Sequence, residues 1–271
     1  MRRIFGAIAG RTKRAATPVQ CANYPEVDLF HWSPPYGGRN FGDHLSKIIA
    51  ACVASEHGLT FDDEVSEQKR MLGIGSVLHF AKDGDVVWGS GWNGKMPVEQ
   101  LTATRLDIRA VRGPLTAKLL SERGFSTPSI FGDPGLLTPR YFRDRFPVDP
   151  QTPFIVIPNL NDRERAADVP NVVSPLRGWN HVVRAITTAR KVVTSSLHGL
   201  ILAEAFGVPV HLIRFSEAEH DFKFEDYAQG TGRDRLPVAA TLDAALAAPD
   251  YPAMHFDEDA LVAAFPTDLW G

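Results

Sequence analysis

Between Lys191 and Val210 the sequence KVVTSSLHGLILAEAFGVPV passes from an apolar run through small polar residues and a histidine into a second apolar run. This is the pattern of a strand that ends just before a helix begins. Hydroxyls at Thr194, Ser195 and Ser196 can cap that helix, and its free amides and dipole favour a phosphate or carboxylate nearby. His198 falls in the first turn, at the sheet edge, where an imidazole with an ordinary pKa exchanges protons near neutrality. The spacing is equally compatible with a serine that only caps the helix and a histidine that packs or is solvated.

Other residues suited to chemistry follow predicted strands. Arg112 could grip a carboxylate or phosphate with its guanidinium fork, and Gly113 would allow close approach of the backbone. A surface salt bridge is the structural alternative for Arg112. Asp133 precedes Pro134 at a strand end, where its carboxylate could accept a sugar hydroxyl or make an Asx turn. Asn40 and Asp43 stand at the head of the first long helix and suit either capping or a saccharide acceptor. In Trp88 to Trp92 (WGSGW) two aromatics flank flexible glycines, and Trp92 could stack on a sugar face or fill the core. Lys223 to Arg233 (KFEDYAQGTGR) places cations, an aromatic and glycines on a loop and helix end that could close over an anion. Gly73 and Gly75 resemble half of a dinucleotide fingerprint, but no third glycine or helix follows at the required distance, which excludes a nicotinamide site.

The elements that must position these residues alternate. Strands are predicted at Asp28 to Trp32, Lys69 to Gly75, Asp85 to Gly89, Ile108 to Val111 and Ser129 to Phe131, with helices over Asp43 to Ser55 and Pro114 to Arg123. The aperiodic, proline-rich stretch Thr138 to Pro153 marks a boundary. Alternation then resumes with a strand at Phe154 to Ile157 and a segment near Val172. A helix at Trp179 to Arg190, a strand at Lys191 to Ser195, a helix at Leu197 to Phe206 and a strand at Val208 to Phe215 follow. The expected architecture is α/β, with two Rossmann-like lobes, residues 19–148 and 149–271, facing a central cleft at their strand ends, after a basic tail over residues 1–18.

Composition narrows the function. A 44% hydrophobic and 23% charged chain is that of a folded globular protein, and a net charge of -3 gives nucleic acid no attraction. Two cysteines, Cys21 and Cys52, form no metal-binding spacing and suit a reducing compartment. The apolar run Ile4 to Ala9 is shorter than the roughly 7–15 residues of a signal peptide, and Arg11, Lys13 and Arg14 follow it. The expected location is therefore cytoplasmic, with the basic tail able to rest against anionic lipid on the cytoplasmic face.

Five separated segments, in order, resemble the polysaccharide pyruvyl transferase family. Asn40 to Asp43 (NFGD) is similar to its N-x-GD element, VRGPLTAKL at Val111 to Leu119 to its RG-x-x-T-x-x-x-L element, and FGDPGL at Phe131 to Leu136 to its GDP-x-x-L element. SSLHGLILAEAFGVP resembles the S-x-x-H-x-x-x-x-A-x-x-x-G-x-P signature, and Lys223 to Tyr227 (KFEDY) a segment that often follows it. The resemblance implies a GT-B-like pair of lobes, phosphoenolpyruvate as donor substrate with no other cofactor or metal, and a saccharide acceptor carried on a nucleotide or lipid. It implies that Arg112, Ser195, Ser196, Gly113, Lys223 and Arg233 hold the donor, with His198 as acid or base. Asn40, Asp43, Trp92 and Asp133 would then meet the acceptor. One departure is visible: Ser196 stands where many members carry an arginine, so another cation, from among Arg112, Arg214, Lys223 and Arg233, would hold the donor phosphate. A GT-B glycosyltransferase using a nucleotide sugar, and a non-catalytic saccharide-binding protein, are the rival functions.

Overall fold

Short β-branched and aliphatic runs form two parallel sheets. In the computed structural model, which describes residues 24–35, 38–217 and 220–271, the first sheet holds Val27–Phe30 (β1), Lys69–Leu72 (β2), Val86–Trp88 (β3) and Asp107–Ala110 (β4) in that order. The second holds Ile155–Ile157 (β5), Val192–Thr194 (β6), Val210–Ile213 (β7) and Val238–Ala239 (β8), again in chain order. The basic tail expected over residues 1–18 lies outside the described residues, as does Cys21.

Helices connect the strands. Phe41–Glu56 (α1) follows β1, Pro114–Glu122 (α2) follows β4, and the short Thr138–Phe142 (α3) occupies the expected boundary. Trp179–Thr187 (α4), Leu197–Ala205 (α5), Phe222–Gly230 (α6) and Leu242–Ala247 (α7) accompany the second sheet, and Glu258–Ala263 (α8) comes last. The segment expected as a strand at Ser129 to Phe131 makes only one parallel bridge, Phe131 to Val111. α4 stops before the predicted Arg190, where Ala189 bridges Thr152 and Arg190 N–H donates to the Thr152 carbonyl.

Both sheets are covered on both faces, as parallel sheets require. One continuous core packs α1, α4 and α5 through Leu45, Ile49, Val182, Val183, Leu200 and Ile201, and joins the two halves of the chain. Smaller clusters cover the outer faces, around Leu72, Val87 and Leu101 on the first sheet and around Val156, Val193 and Ala245 on the second. The chain after α7 returns to the first sheet, where Trp88 Nε1 donates to Leu261 O at 2.8 Å and Arg109 pairs with Asp268 at 2.8 Å.

α6 crosses to pack on α2, and the approach is close enough to exclude side chains. A Cβ on Gly113 would lie 1.9 Å from Asp226 O, and one on Gly230 2.3 Å from Arg112 O. Into this contact Asp226 carries a carboxylate with no exposure, which accepts from Arg112 Nε at 3.0 Å, Thr116 N at 2.8 Å and Thr116 Oγ1 at 2.7 Å. Arg112, also fully buried, completes its set by donating to Ser76 Oγ and Trp92 O, each at 2.6 Å. Removing one member of such a pair strands the other in a low dielectric. Asp226→Ala should cost about 3–5 kcal/mol of unfolding free energy, measured by urea denaturation.

Candidate functional site

A cavity of about 270 Å³ opens where the C-terminal ends of strands from both sheets meet. Every residue lining it follows a strand: Trp32, Asn40 and Asp43 come after β1, Ser76, Val77, His79 and Phe80 after β2, and Asn93 and Lys95 after β3. From the second sheet come Asn159 to Asn161 after β5, Ser196 to His198 after β6, and Lys223 after β7. This is where open α/β sheets hold ligands.

The wall nearest α5 is electrostatically distinctive. Ser196 is the N-cap of α5, its hydroxyl accepting from Gly199 N, so the positive end of the helix points at the cavity. Lys223 and Lys95 supply positive charge. His198 packs its ring edge on Gly42, where a Cβ would lie 2.1 Å from Nδ1, so only glycine fits at that position of α1. Burial, and then the charges of Lys223 and Arg112, push His198 down to about 3. Asp43 moves the other way: burial raises its carboxyl to about 7, against the lowering effect of Lys223 and with a further rise from Asp133. At neutral pH the imidazole is neutral and the aspartate is close to half protonated.

The rest of the lining is aromatic and amide-rich. Phe80 is 38% exposed, His79 stacks on it with ring centroids 4.1 Å apart, and Trp32 lies beside the same space. Asn93 approaches His79 Nδ1 with Nδ2 at 3.4 Å, and Asn159 and Asn161 face in from β5. Among the described residues, no group of three His, Cys, Asp or Glu side chains gathers to hold a metal ion.

Several residues expected at the site prove to support it. Arg112 and Gly113 belong to the α2–α6 contact; the guanidinium is fully buried, its three nitrogens donating to Asp226, Ser76 and Trp92, and Arg112 does not line the cavity. Arg233 turns its two terminal nitrogens elsewhere, pairing with Glu204 and donating to Thr231 Oγ1 at 2.8 Å against the Tyr227 ring, and it does not line the cavity. Arg214 pairs with Asp221 at 2.5 Å and does not line the cavity. Trp92 is 2% exposed and fills the outer core of the first sheet, and the glycine before it makes room for Arg112, whose Cζ would lie 2.3 Å from a Cβ there. Ser195 turns away: its hydroxyl donates to Asp162 Oδ2 at 2.7 Å and accepts from Asn159 N at 2.8 Å, fixing the asparagine stretch. Asp133 is fully buried behind His198 and caps the turn at Pro134–Leu137 through Gly135 N at 2.9 Å. Asn40 caps α1 through Gly42 N at 3.0 Å while also lining the cavity.

His198, Ser196, Asn40, Asp43 and Lys223 are thus brought together. Lys95, Asn93, Asn159, Asn161, Trp32, His79 and Phe80 join them unexpectedly. Their common signal was position, since each lies within about ten residues of a strand's C-terminal end.

Two parallel sheets jointly present a helix N-terminus, two lysines, an imidazole and a perturbed carboxyl to one cavity, the arrangement of an α/β enzyme. The chain belongs to the polysaccharide pyruvyl transferase family, whose sequence pattern it matches over residues 19–217. It is 29% identical over 243 residues to the succinoglycan biosynthesis protein ExoV of Rhizobium meliloti (strain 1021), covering 84% of this chain and 73% of that one. An uncharacterized protein of Acanthamoeba polyphaga mimivirus is 25% identical over 224 residues, 75% of either chain. In fold, the crystal structure of an uncharacterized protein from Klebsiella pneumoniae matches with a TM-score of 0.50 at 13% identity, over 80% of this chain and 93% of that one.

The raised pKa of Asp43 fixes a pH dependence. Folding favours its protonated form, so the stability this group contributes is complete below the ordinary carboxylate range and is lost as pH rises through about 7. Asp43→Asn removes the ionisation. Its melting temperature should rise relative to the parent as pH goes from acidic to about 8, followed by scanning calorimetry across that range.

Proposed function

We propose that the chain transfers the pyruvyl unit of phosphoenolpyruvate to two hydroxyls of a saccharide, forming a cyclic ketal during assembly of an exopolysaccharide. The observation that carries this reading is that Lys223 and the N-terminus of α5 line the same cavity as a set of aromatic and amide side chains. The cationic wall suits the phosphate and carboxylate of the donor, with Lys223 and Lys95 doing the work of the arginine that Ser196 replaces. Phe80 and Trp32 suit the apolar face of a sugar ring, with Asn93, Asn159 and Asn161 as partners for its hydroxyls. The two halves facing this cavity support the two-lobed, GT-B-like arrangement, and the Rhizobium relative supports an exopolysaccharide product.

Asp43, close to half protonated at neutral pH, delivers a proton to the vinyl carbon, which becomes a methyl group and leaves the central carbon electrophilic. One sugar hydroxyl adds there as neutral His198 accepts its proton. The carbon–oxygen bond to phosphate breaks, and the second hydroxyl closes the ketal. Of the two hydroxyl protons lost, one replaces that delivered to carbon and the other leaves on phosphate. The approaching donor anion raises the imidazole pKa and so strengthens His198 as a base. On this reading the acceptor is carried on a nucleotide or lipid in the cytoplasm, where the basic N-terminal residues would meet anionic lipid.

Calorimetric titration with phosphoenolpyruvate, and separately with nucleotide sugars, tests the donor. Saturable binding of phosphoenolpyruvate is expected, weakened about 10–100-fold in Lys223→Met for the loss of one charge-assisted contact, with the melting curve showing that the variant is folded. Binding of a nucleotide sugar alone would replace this donor with a glycosyl one.

A further inference from the structure

Two buried polar atoms behind the cavity point at each other without a hydrogen-bond partner among the described residues. They are His198 Nε2 and Asp133 Oδ2, 3.9 Å apart. Asp133 is held rigidly, because its Oδ1 accepts from Gly135 N at 2.9 Å while the Pro134–Leu137 turn begins. His198 is held as tightly, between Gly42 on one edge and Phe41, whose ring meets it edge-on at 6.5 Å. Groups that catalysis brings together are commonly a little too far apart in an unliganded site and close on binding.

We propose that Asp133 is the positioning residue of His198, accepting Nε2–H so that the exchange of protons with the ligand falls to Nδ1. The same carboxylate then stabilises the imidazolium that forms when Nδ1 takes a hydroxyl proton. Charged groups face the pair from several elements. Arg112 faces Asp133 from the end of β4, against Asp226 and Tyr227 on α6 and Asp43 on α1, while Lys223 and Arg112 face His198. Burial raises Asp133 to about 6, with the Gly135 amide and Arg112 lowering it, so above that pH it is an acceptor. Because His198 is neutral there, one proton resides on the ring, and Nε2 is the nitrogen with an acceptor facing it.

The inference rests on the transfer proposed above for its kinetic consequence, and on the structure alone for the tautomer. Asp133→Asn separates the roles of the side chain: Oδ1 still caps the turn, whereas an amide N–H now meets Nε2 and forces the proton to Nδ1. With ¹⁵N-histidine labelling, and His198→Gln to assign the resonance, the parent should show the Nε2–H tautomer and Asp133→Asn the Nδ1–H tautomer. In turnover with phosphoenolpyruvate, kcat should fall about a hundredfold or more with KM for the donor little changed. The acidic limb of the pH profile near pH 6 should disappear. A parent ring in the Nδ1–H form, or a variant with the parent's kcat and pH profile, overturns the proposal. If the parent itself does not turn over phosphoenolpyruvate, the donor assignment falls while the tautomer measurement still decides this one.

Discussion

The buried pair of Arg112 and Asp226 is the constraint from which the rest of the site follows. It joins a segment leaving the first sheet to a helix that follows the second, in a contact with no room for a side chain at Gly113 or Gly230. Desolvating two charges is unfavourable unless their remaining hydrogen-bonding capacity is met. Here Thr116 serves the carboxylate twice, and Ser76 and the Trp92 carbonyl serve the guanidinium. The result is geometric. Lys223 stands one turn before Asp226 on α6, so fixing the aspartate fixes the lysine over the cavity, and Ser76 at the cavity wall is tethered by the same arginine.

This arrangement also sets the charge state of the site. Lysine near an imidazole disfavours imidazolium, and burial does the same, so His198 waits as a base. Burial and the nearby Asp133 disfavour the Asp43 carboxylate, so Asp43 waits partly as an acid. Two groups whose environments drive their pKa values apart can divide acid and base roles between them at a single pH. A donor anion arriving against Lys223 would reduce the field on both.

Much of the fold was legible because the chain alternates short apolar strands with helical segments: α1 follows from its apolar stripe, whereas α5 follows from an apolar run set off by capping hydroxyls and a closing glycine. The histidine turn was legible for a related reason: a strand ending in hydroxyls before an apolar helix admits few geometries. Arg112 was misplaced because a guanidinium after a strand reads alike whether it meets a ligand or a carboxylate 114 residues away. Trp92 was misplaced for the same kind of reason. Two tryptophans among glycines suit sugar stacking, but Gly91 makes room for Arg112 while Trp92 faces the core. The exposed aromatics, Trp32 and Phe80, sit in segments without distinctive composition. Helix α6 was only half visible, since its buried face is set by a partner in the other half of the chain.

The two best-marked motifs turn out to be one mechanical unit. In NFGD, Asn40 caps α1, Gly42 leaves the gap into which the His198 ring fits, and Asp43 reaches the cavity beside it. The turn opened by Asp133 packs against both α1 and α5, and behind the ring it presents the one carboxylate oxygen facing Nε2. Each residue type is therefore accounted for by a contact made to the histidine or by a place on the cavity wall. A larger residue at 42 would displace the ring, and with it the alignment toward Asp133, without touching any ligand. The spacing within each motif reflects local capping, whereas their joint presence reflects the need to hold one imidazole from three sides.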